Sequence, residues 1–385
     1  MKKTLPTALF IALFLSFFFP LSACAQESLD ENILSAVDAL DLSRLPKLFE
    51  GVLGSEEEIR ALISRMAAGQ QVIDMDTLIS RLMDMMMQTL KSTLQGMASL
   101  FLPAMLYCLA EWMQPLFPAS KSFLLAQYAC FLTLSAVMAG DLGAHLNLCE
   151  NAVNRMAQAM QALLPLLLTL LTAIGGTAGA SFYQPALTAA GGTMITFVRS
   201  FTLKIALCCG VVTLLCHMTD QPNLKGLAAL LRRVAAWTLG IAFTLFLSVT
   251  TLQGITSSVR DGVSIRAAKY AVDHFVPVVG GMFADTMDTL IGSALLVKNA
   301  LGITGLIGLV LLAAGPLLQV LCASFAYKAC AAAMEFLSPG RLSRCLDQFS
   351  SVLTLFFVIQ LSVGAMFFLL TAQLLAAGNL IVMLR

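Results

Sequence analysis

The chain has 385 residues, of which 58% are hydrophobic and only 12% are charged, and its formal net charge is +1. Soluble domains carry about 25% charged residues, so this chain lacks the polar surface that a water-soluble fold of its size requires. The near-zero net charge also excludes a chain-wide attraction to nucleic acid. We therefore expect an all-α protein that crosses a bacterial cell membrane several times.

The N-terminus has the layout of a secretory signal peptide. Lys2 and Lys3 precede an apolar run, and small residues follow it up to Ala25. Cleavage after Ala25 competes with a lipoprotein box that ends at Cys24. We favour cleavage after Ala25, because a lipid anchor is redundant in a chain with several membrane spans. Residues 1–25 are then the signal peptide, and an uncleaved first membrane helix is the remaining alternative.

Residues 26–95 form an acidic segment with helical periodicity. Apolar residues recur at helical spacing, for example at Ile59, Ile63 and Met66. Ser55 is followed by three glutamates, which is typical of a helix N-terminus with a capping box. These features predict a small helical domain on the extracytoplasmic side of the membrane.

The rest of the chain, residues 96–385, is a predicted multi-pass transmembrane domain with about seven spans, within a range of six to eight. A spanning helix needs about 20 apolar residues. An eighth span near 276–297 is uncertain, and basic residues fall on both sides of any simple alternation, so the positive-inside rule leaves the orientation open. The seven predicted spans lie near 97–117, 123–140, 160–180, 203–219, 231–252, 303–326 and 349–372.

Glycines recur at helical spacing inside two of these spans. Small residues allow the backbones of neighbouring helices to approach closely in a membrane. No strand precedes either run, so a nucleotide-binding loop is excluded in favour of helix packing. The predicted packing residues are Gly175 and Gly179 in one span and Gly302, Gly305 and Gly308 in the other.

The stretch before Pro277 is amphipathic and basic on one side. Arg266, Lys269 and Asp273 share one helical face, and Arg260 precedes them. A basic amphipathic helix is typical of a segment that lies in the membrane interface. We predict an interfacial helix here, followed by a break at Pro277 and the glycine pair after it.

A polar stripe occupies one face of the next helix, and Lys298 points away from it. The functional hypothesis is that two of its aspartates line a polar path or couple transport to an ion. The structural alternative is that these groups are paired and hold a re-entrant hairpin against its neighbours. The stripe consists of Asp285, Asp288, Thr289, Gly292 and Asn299.

Sites for metals, cofactors and catalysis are not expected. The ten cysteines form no CxxC pair, and the histidines are scattered. Motifs of metalloproteases, serine hydrolases and P-loop ATPases are missing, so any ATPase must be another chain. Arg199 and Lys204 lie beside apolar runs and are predicted to snorkel to an interface.

Several long blocks resemble the stage III sporulation protein AE family of endospore-forming bacteria. The resemblance covers about 160–385, and before residue 100 it is limited to a signal peptide and an acidic helical domain. The blocks are 259–271 and 275–302, supported by 164–177, 218–221, 326–329 and 377–385.

The resemblance implies a role in spore formation, as a membrane core component of a secretion-like channel between mother cell and forespore. It implies companion stage III sporulation A-operon proteins, among them an ATPase, together with the forespore protein IIQ. It carries over no catalytic residue. The alternative is an independent secondary transporter with an ion or proton site at Asp285 and Asp288, although no internal repeat supports it. An intramembrane enzyme is the third hypothesis.

Overall fold

A computed structural model describes residues 49, 56–69, 75–113, 121–176, 180, 181, 184, 191–219, 222–275, 280–337 and 340–383. Within these ranges only the backbone is described for residues 253–288 and a few others. The predicted signal peptide, including Cys24 and Ala25, lies outside the described residues.

The described residues form a series of α-helices joined by short connections. A five-residue π-helical turn, Val198–Thr202, immediately precedes α4 and continues a helix from 191. The helices are α1 (Glu56–Ala67), α2 (Met75–Met113), α3 (Lys121–Ala173), α4 (Leu203–Thr219), α5 (Pro222–Phe275), α6 (Gly280–Leu337) and α7 (Arg341–Met383).

Among the described residues, six helices are long and apolar enough to cross a membrane. This number confirms the multi-pass all-α architecture and lies at the lower limit of the predicted range. The predicted span 123–140 and the larger part of the predicted span 160–180 belong to the single helix α3, which has 53 residues and ends at Ala173. At 1.5 Å per residue α3 is about 80 Å long, far more than the ~30 Å hydrocarbon layer. The prediction of two separate spans in this part of the chain is therefore wrong.

The helices also run through other predicted breaks. The predicted span 231–252 and the predicted interfacial helix are one helix, α5, which ends at Phe275. Residues 276–279 lie outside the described residues, and α6 then continues without interruption through 297 and into the predicted span 303–326. No separate span or helix break therefore divides 280–337. Helix α2 likewise continues through the predicted domain boundary at 95.

Consecutive helices of the bundle run antiparallel. Tyr327 near the end of α6 packs at a tilt against Phe349 near the start of α7, with ring centroids 4.7 Å apart. At the opposite end of the same pair, Lys298 of α6 donates a hydrogen bond to the carbonyl of Leu375 on α7 (3.1 Å). The same arrangement joins α2 to α3, α3 to α4 and α4 to α5, through contacts such as Tyr107 with Phe131, Lys204 with Glu150, and Cys209 with Ala228.

Every second connection along the chain therefore lies at the same end of the bundle. The helix ends that flank 114–120, 220–221 and 338–340 lie close together. The sulfur of Cys108 on α2 lies 3.4 Å from that of Met334 on α6, and Arg232 of α5 donates a hydrogen bond to the carbonyl of Gln348 on α7. We call this the basic end, because its flanking residues include Lys121, Lys225, Arg232, Arg233, Lys328, Arg341 and Arg344. The connection 174–190 at the other end contains no charged residue.

Helix α1 packs on the bundle at the end opposite the basic end. Thr304 of α6 lies 3.5 Å from the sulfur of Met66, which follows the buried residues Ile59 and Ile63. These residues belong to the same hydrophobic core cluster as the long helices. The acidic N-terminal segment thus contributes at least one helix to the packing of the membrane part.

Two of the predicted packing glycines lie at tight helix crossings. A Cβ atom at Gly302 would overlap the side chain of Leu375, and one at Gly305 would lie 2.9 Å from Cδ2 of Leu163. Gly308 is buried. These helices approach closely because the glycines leave room for leucine side chains of α7 and α3.

Gly175 differs from its predicted place inside a span. Its φ of 97° is in the left-handed region, and its N–H bonds the carbonyl of Thr172. The N–H of Gly176 bonds the carbonyl of Leu171, which completes a glycine C-cap of α3. Gly175 therefore ends the helix instead of packing within it, and Gly179 lies outside the described residues.

Substitution of Gly302 by Ala is expected to destabilise the bundle. The added methyl group overpacks the α6–α7 crossing, which typically lowers the free energy of unfolding by about 1–3 kcal/mol. Gly240→Ala on α5 is the matched control, because a Cβ there meets nothing within 4 Å. The control should be neutral or more stable by up to about 1 kcal/mol, since alanine favours a helix. Thermal unfolding in detergent measures both, and equal midpoints would contradict the prediction.

Candidate functional site

The middle of α3 lies beside the most apolar part of α6. The hydroxyl of Tyr327 donates a hydrogen bond to Oδ2 of Asp141 (2.5 Å). Leu163 packs on Gly305, as described above. These contacts place residues 141–163 of α3 alongside residues 305–327 of α6, a stretch that contains no charged residue.

Contacts with α7 also place this part of α3 beside an apolar stretch. The thiol of Cys149 lies 3.7 Å from Oε1 of the fully buried Gln360, and Oγ1 of Thr371 lies 3.5 Å from the sulfur of Met160. The segment of α7 between Gln360 and Thr371 contains no charged residue either. Since such stretches sit in the hydrocarbon layer, the middle of α3 lies at membrane depth.

This part of α3 nevertheless has a polar outer surface. Its exposed residues recur three or four positions apart, so they share one helical face. Amides and a guanidinium are poorly solvated by lipid. We call this surface the polar face, and it consists of Asn147, Asn151, Arg155, Gln158 and Gln161.

Helix α4 and the turn before it border the polar face with charged groups. Nζ of Lys204 lies 2.7 Å from Oε1 of Glu150, and these side chains are 53% and 21% exposed. A guanidinium nitrogen of Arg199 donates to Oδ1 of Asn154 (3.2 Å). The π-helical turn contains Arg199, and such turns are frequent at functional sites. Both cations therefore have partners on α3, and their snorkelling to an interface stays a prediction.

A second polar cluster joins α6 to α7 near the end of the bundle where α1 packs. Lys298 is fully buried, and its ammonium group bonds the carbonyl of Leu375. Gly378 makes room for it, because a Cβ there would lie on top of the ammonium group. Beside it, the amide of Asn299 donates to Oδ1 of Asn379 (3.0 Å). Lys298 points away from the predicted stripe, yet it is more buried than any described residue of that stripe.

The predicted polar stripe is only partly described. Thr289 is exposed, Gly292 is half-buried, and Asn299 contacts α7 through Asn379. The side chains of Asp285 and Asp288 lie outside the described residues, as do those of the predicted interfacial residues Arg260, Arg266, Lys269 and Asp273.

The described cysteines are free thiols. Six of them are buried, two are half-buried, and Cys208 is exposed. Within the described part of the chain, no group of three potential metal ligands comes together. The buried thiols therefore pack as small apolar side chains.

The hydropathy pattern concealed the polar face, because all of its residues except Gln161 lie between two predicted spans, at 141–159, where low hydropathy indicates a connection. The helical periodicity of the buried residues was the available signal. Leu142, Leu146, Cys149, Val153 and Met156 recur at offsets that continue one apolar stripe through the polar stretch. Such a stripe predicts one continuous amphipathic helix.

Reversal of charge at Glu150 is expected to destabilise the bundle by about 1–3 kcal/mol. Glu150→Lys places an ammonium group against Lys204 and near Arg199, whereas the double variant with Lys204→Glu restores an opposite pair. Glu57→Lys, the same charge change at an exposed position of α1, is the control. The measurement is the thermal midpoint in detergent. Recovery in the double variant is the expected outcome, and equal loss in the single and double variants would disprove the pairing.

Comparison with known proteins gives one family and one curated relative. The family model described as stage III sporulation protein AE matches residues 58–378. Stage III sporulation protein AE of Bacillus subtilis (strain 168) is 32% identical over 281 residues, which cover 73% of this chain and 70% of that protein. No solved structure matches the chain. The matched residues extend from α1 almost to the end of α7 and include the polar face.

Proposed function

This chain belongs to the stage III sporulation protein AE family, and on that premise we propose that it is the membrane core component of a secretion-like channel between mother cell and forespore. Membership supports a role in sporulation, and the fold is that of a multi-pass membrane protein. The observation that carries the proposal is the family match over residues 58–378, because it includes all of the membrane bundle except the last residues of α7. This family is not one of known enzymes, and we infer no catalytic step.

The proposed partners are the companion stage III sporulation A-operon proteins, one of them an ATPase, and the forespore protein IIQ. The proposed location is the mother-cell membrane around the forespore. A bundle without nucleotide-binding motifs needs such an ATPase if transport through the complex consumes ATP.

We further infer that the basic end of the bundle faces the cytoplasm. Short connections rich in lysine and arginine stay on the cytoplasmic side of a bacterial membrane. The uncharged connection 174–190 and helix α1 then lie on the extracytoplasmic side, as expected for a segment that follows a signal peptide. Merging two predicted spans into α3 removes one crossing, and this brings the connections 114–120, 220–221 and 338–340, which basic residues flank, to a common side.

The orientation predicts which cysteines an impermeant thiol reagent reaches in intact cells. Ser120→Cys and Ser338→Cys, in connections at the basic end, should react only after the cells are permeabilised. Ser181→Cys, in the connection at the opposite end, should react in intact cells. Mass spectrometry of the labelled peptides measures the reaction. The reverse pattern would show that the basic end faces outward.

Affinity isolation from sporulating cells tests the proposed function. The tagged chain should co-purify with the companion membrane proteins and the ATPase in mild detergent, while a tagged multi-pass protein of unrelated function, isolated in parallel, should not. Isolation without any companion, combined with solute uptake by the chain alone in liposomes, would contradict the proposal and support an independent transporter.

A further inference from the structure

No hydrogen bond or ion pair joins the side chains of the polar face to another described residue. Arg155 lies level with the middle of the apolar stretch of α6, yet it is exposed, and no hydrogen bond or ion pair joins it to another described residue. A lone guanidinium in hydrocarbon costs several kcal/mol or more. Asn147, Asn151 and Gln158 add amides that lipid cannot satisfy. The occupant of this surface is therefore not lipid.

The charge of the surface favours water over a dry protein partner. Arg155, Arg199 and Lys204 carry three positive charges, and Glu150 balances one of them. A dry partner would have to bring two further acidic groups to the middle of the membrane, each at a high desolvation cost. Water solvates the same surface without such groups, provided that lipid is kept away.

Further copies of this chain are the simplest enclosure. The polar face lies on the outside of the bundle, so one copy cannot surround the water that solvates it. The same face on neighbouring copies supplies amides that both donate and accept hydrogen bonds. Phe197 and Phe201 stack 5.3 Å apart beside Arg199 and are exposed, which provides an apolar rim for contact between copies.

We propose that the polar faces of several copies converge on a water-filled passage through the membrane, whose net positive lining favours anionic solutes. The passage rests on the membrane role proposed above and adds to it a conducting surface and a solute class. Directly neighbouring copies form this passage through α3 and the turn before α4.

Cysteine scanning in proteoliposomes of the purified full chain tests the proposal. Asn147→Cys, Asn151→Cys and Gln158→Cys should react with an anionic methanethiosulfonate reagent. Ile241→Cys and Leu245→Cys on α5 are controls, because these apolar residues are 56% and 55% exposed. They lie near the same depth, since Phe246 of α5 and Val363 of α7 line one cavity.

Polar-face positions should react at least about tenfold faster than the controls, because a charged reagent is excluded from hydrocarbon. The reaction rate of each reagent at Gln158→Cys is divided by its rate with a free thiol. This ratio should be higher for the anionic reagent than for a cationic one. Peptide-resolved mass spectrometry separates these sites from the native cysteines, including the exposed Cys208. Rates equal to those of the controls would show that the face is dry or lipid-covered and would overturn the proposal. Faster reaction of the cationic reagent would overturn the assigned solute class.

Cross-linking with a short bifunctional thiol reagent tests whether the polar faces of two copies lie close together. Gln158→Cys should yield cross-linked dimers, and Leu245→Cys should not. Labelling without cross-linking, or equal cross-linking at both positions, would overturn a passage formed by copies of this chain. Each variant is also tested for support of sporulation in cells. If the polar-face positions do not react faster than the controls while the chain still supports sporulation, the passage is disproved. The proposed function is then unaffected.

Discussion

The fold depends on the fact that hydrocarbon offers no hydrogen-bonding partner to a peptide group. Backbone polar groups at membrane depth must be satisfied within the segment, which a continuous helix achieves. The chain therefore continues its helices through stretches that would form loops in water, and α3, α5 and α6 have 53, 54 and 58 residues. Helix ends are confined to the short connections and to glycine caps such as that at Gly175.

The same constraint determines where polar side chains lie. Within the described bundle, polar pairs join different helices, among them Tyr327 with Asp141, Lys204 with Glu150, and Asn299 with Asn379. These pairs join α3, α4, α6 and α7 in a fixed register, because each pair forms only at one helix offset. The exposed side chains of the polar face form no such pair with another described residue, and this difference is the basis of the passage proposed above.

Close packing of the helices depends on glycine in a comparable way. Gly302, Gly305 and Gly378 each leave room for a side chain of a neighbouring helix, and the last makes room for the ammonium group of Lys298. Glycine spacing indicated contacts at the first two positions. It did not indicate Gly378, because the nearest other glycine of α7, Gly364, lies several turns away. The role of Gly378 depends instead on a lysine of another helix.

The sequence by itself determined that the protein is helical, that it crosses the membrane several times, and which family it resembles, because composition, apolar run length and conspicuous sequence blocks are local properties. Only the tertiary structure decided that residues 141–159 continue α3 at membrane depth, since hydropathy measures the average polarity of a segment and not the face on which its polar groups lie. Partners of Lys204, Lys298 and Tyr327 are on helices distant in sequence. Which residues pair depends on how far each helix is shifted along its neighbour. Packing of the helices determines that shift, and no local sequence pattern indicates it.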